Sequence, residues 1–164
     1  MAIPDRLQGL KGSWQGSKRV WFEPGDPVCE SDVTFVVSTV SQGRFLHMAY
    51  QWNFNGEPQD GLIILGAKLT SDSTGPVTPL AVWADSWHMG HDLMECAGLP
   101  AESDAVAVLG AYGDPQGSLF GWRIEFAPRE RDSLRIAMFN IPPQQTEVLA
   151  VKMELRRSAA VTES

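Results

Sequence analysis

"GRFLHMAYQWNFNGEP", residues 43–58, alternates two kinds of side chain before it reaches a turn. One set is Leu46, Met48, Tyr50, Trp52 and Phe54; the other is Phe45, His47, Ala49, Gln51 and Asn53. Successive side chains on a strand point to opposite faces, so a period of two reads as a strand over 43–54, with the bulkier first set turned inward. The "NGEP" that follows carries Asn-Gly, a pair suited to the positive φ of a tight hairpin turn, and then Pro. A second strand over 60–69 completes the hairpin.

The same grammar runs in both directions from this hairpin. Period-two stretches at 13–23, 32–41, 43–54, 60–69, 79–87, 91–98, 104–112, 118–127, 132–140 and 146–157 predict ten strands. "EPGDP" (23–27), "SQG" (41–43), "DSTGP" (72–76), "DPQG" (114–117) and "IPP" (141–143) punctuate them. Helical spacing is confined to a short segment, Pro4 to Leu10, opened by Pro and closed by Gly9 and Gly12. Ten consecutive antiparallel strands in one domain spanning 1–164 favour an all-β up-and-down barrel, because closure removes the exposed edges. A two-sheet sandwich is the competing architecture. A barrel this wide leaves a lumen able to hold a small ligand.

Composition narrows the function. The 164 residues carry 43% hydrophobic and 20% charged side chains, which describes an ordinary globular domain. A net charge of −7 argues against a nucleic-acid footprint, and there is no polybasic run for an anionic membrane. Apolar runs are too short for a membrane span, and the start "MAIPDRLQGLKG" lacks the apolar core of a secretory signal, so a cytoplasmic protein is expected. Cys29 and Cys96 stand far apart in no metal-binding spacing and read as free structural thiols.

"WADSWHMGHD", 83–92, is the densest stretch of functional side chains. A two-residue turn at Met89-Gly90 would make a hairpin, with His88 and His91 directly opposed and Trp83, Asp85 and Trp87 on the other face. Opposed histidines could hold zinc, but only Glu95 shares their face, so no metal is assigned and both histidines are placed outward or at the rim. Asp85, set between two inward tryptophans, must find a partner or a ligand there. It is either a satisfied structural carboxylate, the polar anchor of a ligand, or a catalytic acid or base. Alternation also turns Phe120, Trp122, Ile124 and Phe126 inward, as well as Leu149, Val151, Met153 and Leu155. The expected ligand contacts are Tyr50, Trp52, Trp83, Asp85, Trp87, Tyr112 and Trp122; His47 joins them only if a one-residue bulge turns it in.

"LKGSWQG" (10–16), "SQGRFLHMAYQW" (41–52), "NGEP" with "LGAKL", "WADSW" (83–87), "YGDPQG" (112–117) and "VKMELRR" (151–157) occur in an order that resembles the bacterial proteins grouped as domain of unknown function 1579. That resemblance implies a barrel like those of lipocalins and fatty-acid-binding proteins, and no defined chemistry. The family often has "GYD" where this chain has Gly66-Ala67-Lys68. The early Gly-x-Trp is similar to lipocalins, in which the Trp packs on a late Arg; Trp14 and Arg156 or Arg157 match those positions.

No GxSxG elbow, P-loop or GxGxxG follows a strand. The leading expectation is therefore a barrel that binds an apolar or aromatic small molecule, with no cofactor and with a homodimer compatible with the reading. One alternative is a barrel isomerase, cyclase or lyase using Asp85 with Tyr50 or a histidine as acid and base. The other is a haem-binding, nitrobindin-like barrel, which needs an inward axial histidine.

Overall fold

The computed structural model describes residues 3–68, 78–99 and 105–159; the "DSTGP" turn lies outside them. Ten strands follow in chain order: β1 (Gly12–Val20), β2 (Cys29–Val40), β3 (Phe45–Phe54), β4 (Glu57–Lys68), β5 (Thr78–Asp85), β6 (Met94–Gly98), β7 (Val106–Gly113), β8 (Leu119–Glu130), β9 (Ser133–Ile141) and β10 (Val148–Arg157). Each pairs antiparallel with the next, and β1 pairs with β10, which closes the barrel and rules out the sandwich. Loops 21–28, 55–56, 86–93, 114–118 and 142–147 therefore gather at one end, the mouth.

The opposite end is plugged. Trp14 and Arg157 are register partners across the β1–β10 seam, and the guanidinium lies 4.3 Å from the centre of the indole ring. Arg157 also donates to the carbonyls of Gly9 and Lys11 and to Asp132, while the Trp14 indole donates to the Leu10 carbonyl at 2.8 Å. Leu7, Leu10 and Trp14 are buried as a result.

The N-terminal helix expected over Pro4–Leu10 is a 3-10 helix, Asp5–Leu10, with no side-chain cap. Six residues interrupted by Gly9 are too few to sustain an α-helix without a cap or a packed face.

The expected faces hold along most strands. Leu46, Met48, Tyr50, Trp52, Trp122, Ile124, Phe126, Val151, Met153 and Leu155 are all buried. β10 departs at its start: the register shifts between Leu149 and Val151, so Ala150 is buried and Leu149 is only half-buried. The hairpin expected over 83–92 is also corrected. β5 stops at Asp85, β6 begins at Met94, and the last register pair is Trp83↔Met94. An eight-residue connection, 86–93, replaces the two-residue turn, so His88 and His91 are not cross-strand partners.

Candidate functional site

Alternation from Trp14 puts Gly16, Lys18 and Val20 on the inner face of β1. Lys18 is consequently a lysine inside the barrel, 1% exposed, and Asp85, the last residue of β5, is 2% exposed. A cross-strand row brings their partners together: Tyr50 faces Gly61, and Gly61 faces Asp85. Because Gly61 has no side chain, the Tyr50 ring lies across β4 in the space a Cβ would take. The phenol thus reaches Asp85, donating to Oδ2 at 2.7 Å and accepting from the Trp83 indole at 2.8 Å. Lys18 Nζ stands 3.6 Å from the same Oδ2 and 3.2 Å from the centre of the Trp52 ring. It makes an ion pair and a cation–π contact, and no hydrogen bond among the described residues.

The other carboxylate oxygen organises the mouth. Asp85 Oδ1 accepts from the backbone N–H groups of Trp87 and His88, both at 2.9 Å, and lies 3.0 Å from His88 Nδ1. Met89 N–H donates to the Asp85 carbonyl, so Asp85 caps a single helical turn that swings the chain over the barrel end. Gly90, at φ +60°, permits the reversal. This turn brings His88 inward, 9% exposed at its side chain, where the sequence reading had it outward or at the rim. Its ring packs among Trp52, Trp83, Trp87 and Trp122, with centroid distances of 5.8, 5.6, 4.6 and 6.0 Å.

The charges follow from these contacts. Burial pushes the Asp85 carboxyl up, but the His88 hydrogen bond and the Lys18 ammonium outweigh it and hold the group well below the usual carboxylate range. Burial lowers Lys18 to about 8 against the attraction of Asp85. Burial also lowers His88, opposed by its bond to Asp85 and aided by Lys18. Tyr50 is raised well above its ordinary value by burial and then by Asp85. An ionised carboxylate only accepts, so His88 Nδ1 carries the proton of the neutral imidazole and Nε2 presents a lone pair.

Above this cluster the mouth opens into two clefts of about 560 and 380 Å³. Both are lined by Trp87, His88, Tyr112 and Trp122; the larger adds Phe22 and Asn140, the smaller Trp83 and Met94. Tyr112 donates to Asn140 Oδ1 at 2.8 Å. Trp83 and Trp122 stack at 5.5 Å and 8°, forming a flat apolar floor.

Of the expected contacts, then, Trp83, Trp87, Tyr112 and Trp122 line the clefts. Tyr50, Trp52 and Asp85 lie below them in the packed interior and line neither. His47 pairs in regular register with Ser38 and Ile64, on the face opposite Leu46 and Met48, so no bulge turns it in. Lys18 and the inward His88 were missed. Alternation from Trp14 would have found Lys18, whereas no period predicts His88, because it depends on the Asp85-capped turn.

The family model described as "Protein of unknown function (DUF1579)" matches residues 4–157. The chain belongs to this DUF1579 family. Among 16 matching chains of known structure is Rv2717c from M. tuberculosis, with a TM-score of 0.61 at 16% identity over 96% of this chain and 99% of that one. At that identity the likeness speaks for the barrel of this DUF1579 protein and not for its ligand. A search of curated proteins returns no match. No helix among the described residues is long and apolar enough to cross a membrane.

Proposed function

We propose that this DUF1579 protein is a lipocalin-like binder of an apolar or aromatic small molecule, held in the mouth clefts and not in the depth of the barrel. The observation that carries the reading is that both clefts share one wall of Trp87, His88, Tyr112 and Trp122, and that the smaller also reaches Trp83, which stacks on Trp122. Clefts of this size with an aromatic floor and few polar groups suit a flat ligand. The deeper aromatics are engaged with one another: Phe35 stacks on Tyr50, and Lys18 covers Trp52.

An acid–base reading is favoured by one contact, the His88–Asp85 bond, and it shifts the reactive role. Asp85 is engaged by Tyr50, His88, two backbone amides and Lys18, so His88 is the titratable member that faces the cleft. Asp85 then acts as a positioning residue.

Native mass spectrometry of freshly purified protein tests the binding role. The expected result is a co-purifying small molecule whose occupancy falls when Trp122 or Tyr112 is changed to Ala. A bound molecule retained fully by both variants would place binding elsewhere and overturn the proposal.

A further inference from the structure

His88 is an unusual wall for an apolar cleft, since one of its nitrogens is committed and the other is not. Nδ1 is fixed on Asp85 at 3.0 Å, and four tryptophans surround the ring. Asp85 is itself fixed by Tyr50, by two backbone amides and by the Lys18 ion pair, so the imidazole cannot turn without breaking that network. Nε2, on the far side of the ring, has no hydrogen-bond partner among the described residues, and His88 lines both clefts.

A second, independent observation lies beside it. The indole Nε1 of Trp122, a residue 7% exposed that lines both clefts, is buried with no hydrogen-bond partner among the described residues. Asn140 uses its Oδ1 to accept from Tyr112, which leaves its amide N–H groups as further donors at the larger cleft. Glu23 and Asp92 also line the larger and the smaller cleft, but both are exposed, so in the buried part the acceptor held in place is His88 Nε2, beside donors on an apolar floor. Buried polar groups without partners select ligands that supply them.

We infer that His88 Nε2 is the polar anchor of the cleft, accepting a hydrogen bond from an O–H or N–H group on a planar, apolar ligand that also carries an oxygen acceptor. The inference rests on the binding role proposed above and adds the chemical class: hydroxylated aromatic or enolic molecules, in preference to their ethers and to pure hydrocarbons. Asp85 is the positioning residue that sets the tautomer, and Lys18 is the buried cation paired with it.

The test compares 7-hydroxycoumarin with 7-methoxycoumarin, which share a flat ring and a carbonyl but differ in the donor. Binding is read by fluorescence on the full-length protein. The wild type is expected to bind the hydroxyl compound about tenfold more tightly, the worth of one hydrogen bond that the ether cannot make. His88→Asn, whose amide replaces the Nδ1–H donor to Asp85 but has no Nε2, is expected to bind both probes equally and to keep the fold. Equal binding by the wild type, or a preference that survives His88→Asn, overturns the inference while leaving the binding role intact; failure of both probes to bind overturns both. A ligand-free readout accompanies it. In nitrogen-15 spectra His88 should be the Nδ1–H tautomer with Nε2 unprotonated, and adding 7-hydroxycoumarin should move the Nε2 resonance. An Nε2–H tautomer would overturn the assignment of Nε2 as acceptor.

Discussion

Changing Asp85 to Asn should destabilise the barrel by about 3–5 kcal/mol, shared between what it does to Lys18 and what it does to the hydrogen bonds of Tyr50 and His88. In the native protein Lys18 is lowered from 10.5 to about 8, so burying its ammonium already costs about 3 kcal/mol at neutral pH even with Asp85 beside it. Without the carboxylate the lysine sheds its proton, and at pH 7 a neutral amine caps that cost at about 5 kcal/mol, which adds about 2 kcal/mol. The amide also gives Tyr50 and His88 a neutral partner where each had an ionised one, at about 1 kcal/mol apiece. Urea unfolding should show the loss, with a melting temperature lower by about 10 °C. The decisive arm is the double variant: adding Lys18→Met to Asp85→Asn removes the stranded lysine and should recover about 2 kcal/mol or more. If Asp85→Asn costs less than about 1 kcal/mol, or if Lys18→Met deepens the loss, the buried pair is not what holds this interior together.

Two further outcomes test the same cluster. Gly61→Ala, whose Cβ would overlap the Tyr50 ring, should cost about 1–3 kcal/mol and expel Tyr50 from Asp85, seen as loss of the native near-ultraviolet circular dichroism. Because the unfolded chain holds the Lys18 proton up to 10.5 and the folded one only to about 8, stability should rise with pH between those values. Cys96, pushed up to about 11 by burial, opposes this above its ordinary 9.0, so the clean interval is pH 8 to 9. There the wild type should gain about 1 kcal/mol that Lys18→Met lacks; equal slopes in the two proteins would remove Lys18 from the account.

The barrel was legible because most strands keep strict period two and each turn carries its own chemistry. β3 shows it plainly: Leu46, Met48, Tyr50 and Trp52 are all buried as the alternation requires. Trp14 with Arg157 was legible for the same reason, since the first and last strands of a closed barrel must meet. The pattern failed where strands end. Period two carried past Asp85 put Trp87 in line with it and His88 on the other side, whereas Asp85 caps a helical turn that resets the direction of both. Composition could not separate an open lumen from a filled one, because the same rings serve as packing and as pocket walls. Tyr50 and Trp52 proved to be packing; Trp87 and Trp122 line space.

The six tryptophans supply the most direct test, since each contributes one indole N–H signal to a nitrogen-15 correlation spectrum. Titration with 7-hydroxycoumarin is expected to shift the signals of Trp87 and Trp122 at the mouth. It should leave that of Trp14, bonded to the Leu10 carbonyl at the plugged end, where it was. Shifts at Trp14 with Trp87 and Trp122 unmoved would contradict a ligand site at the mouth.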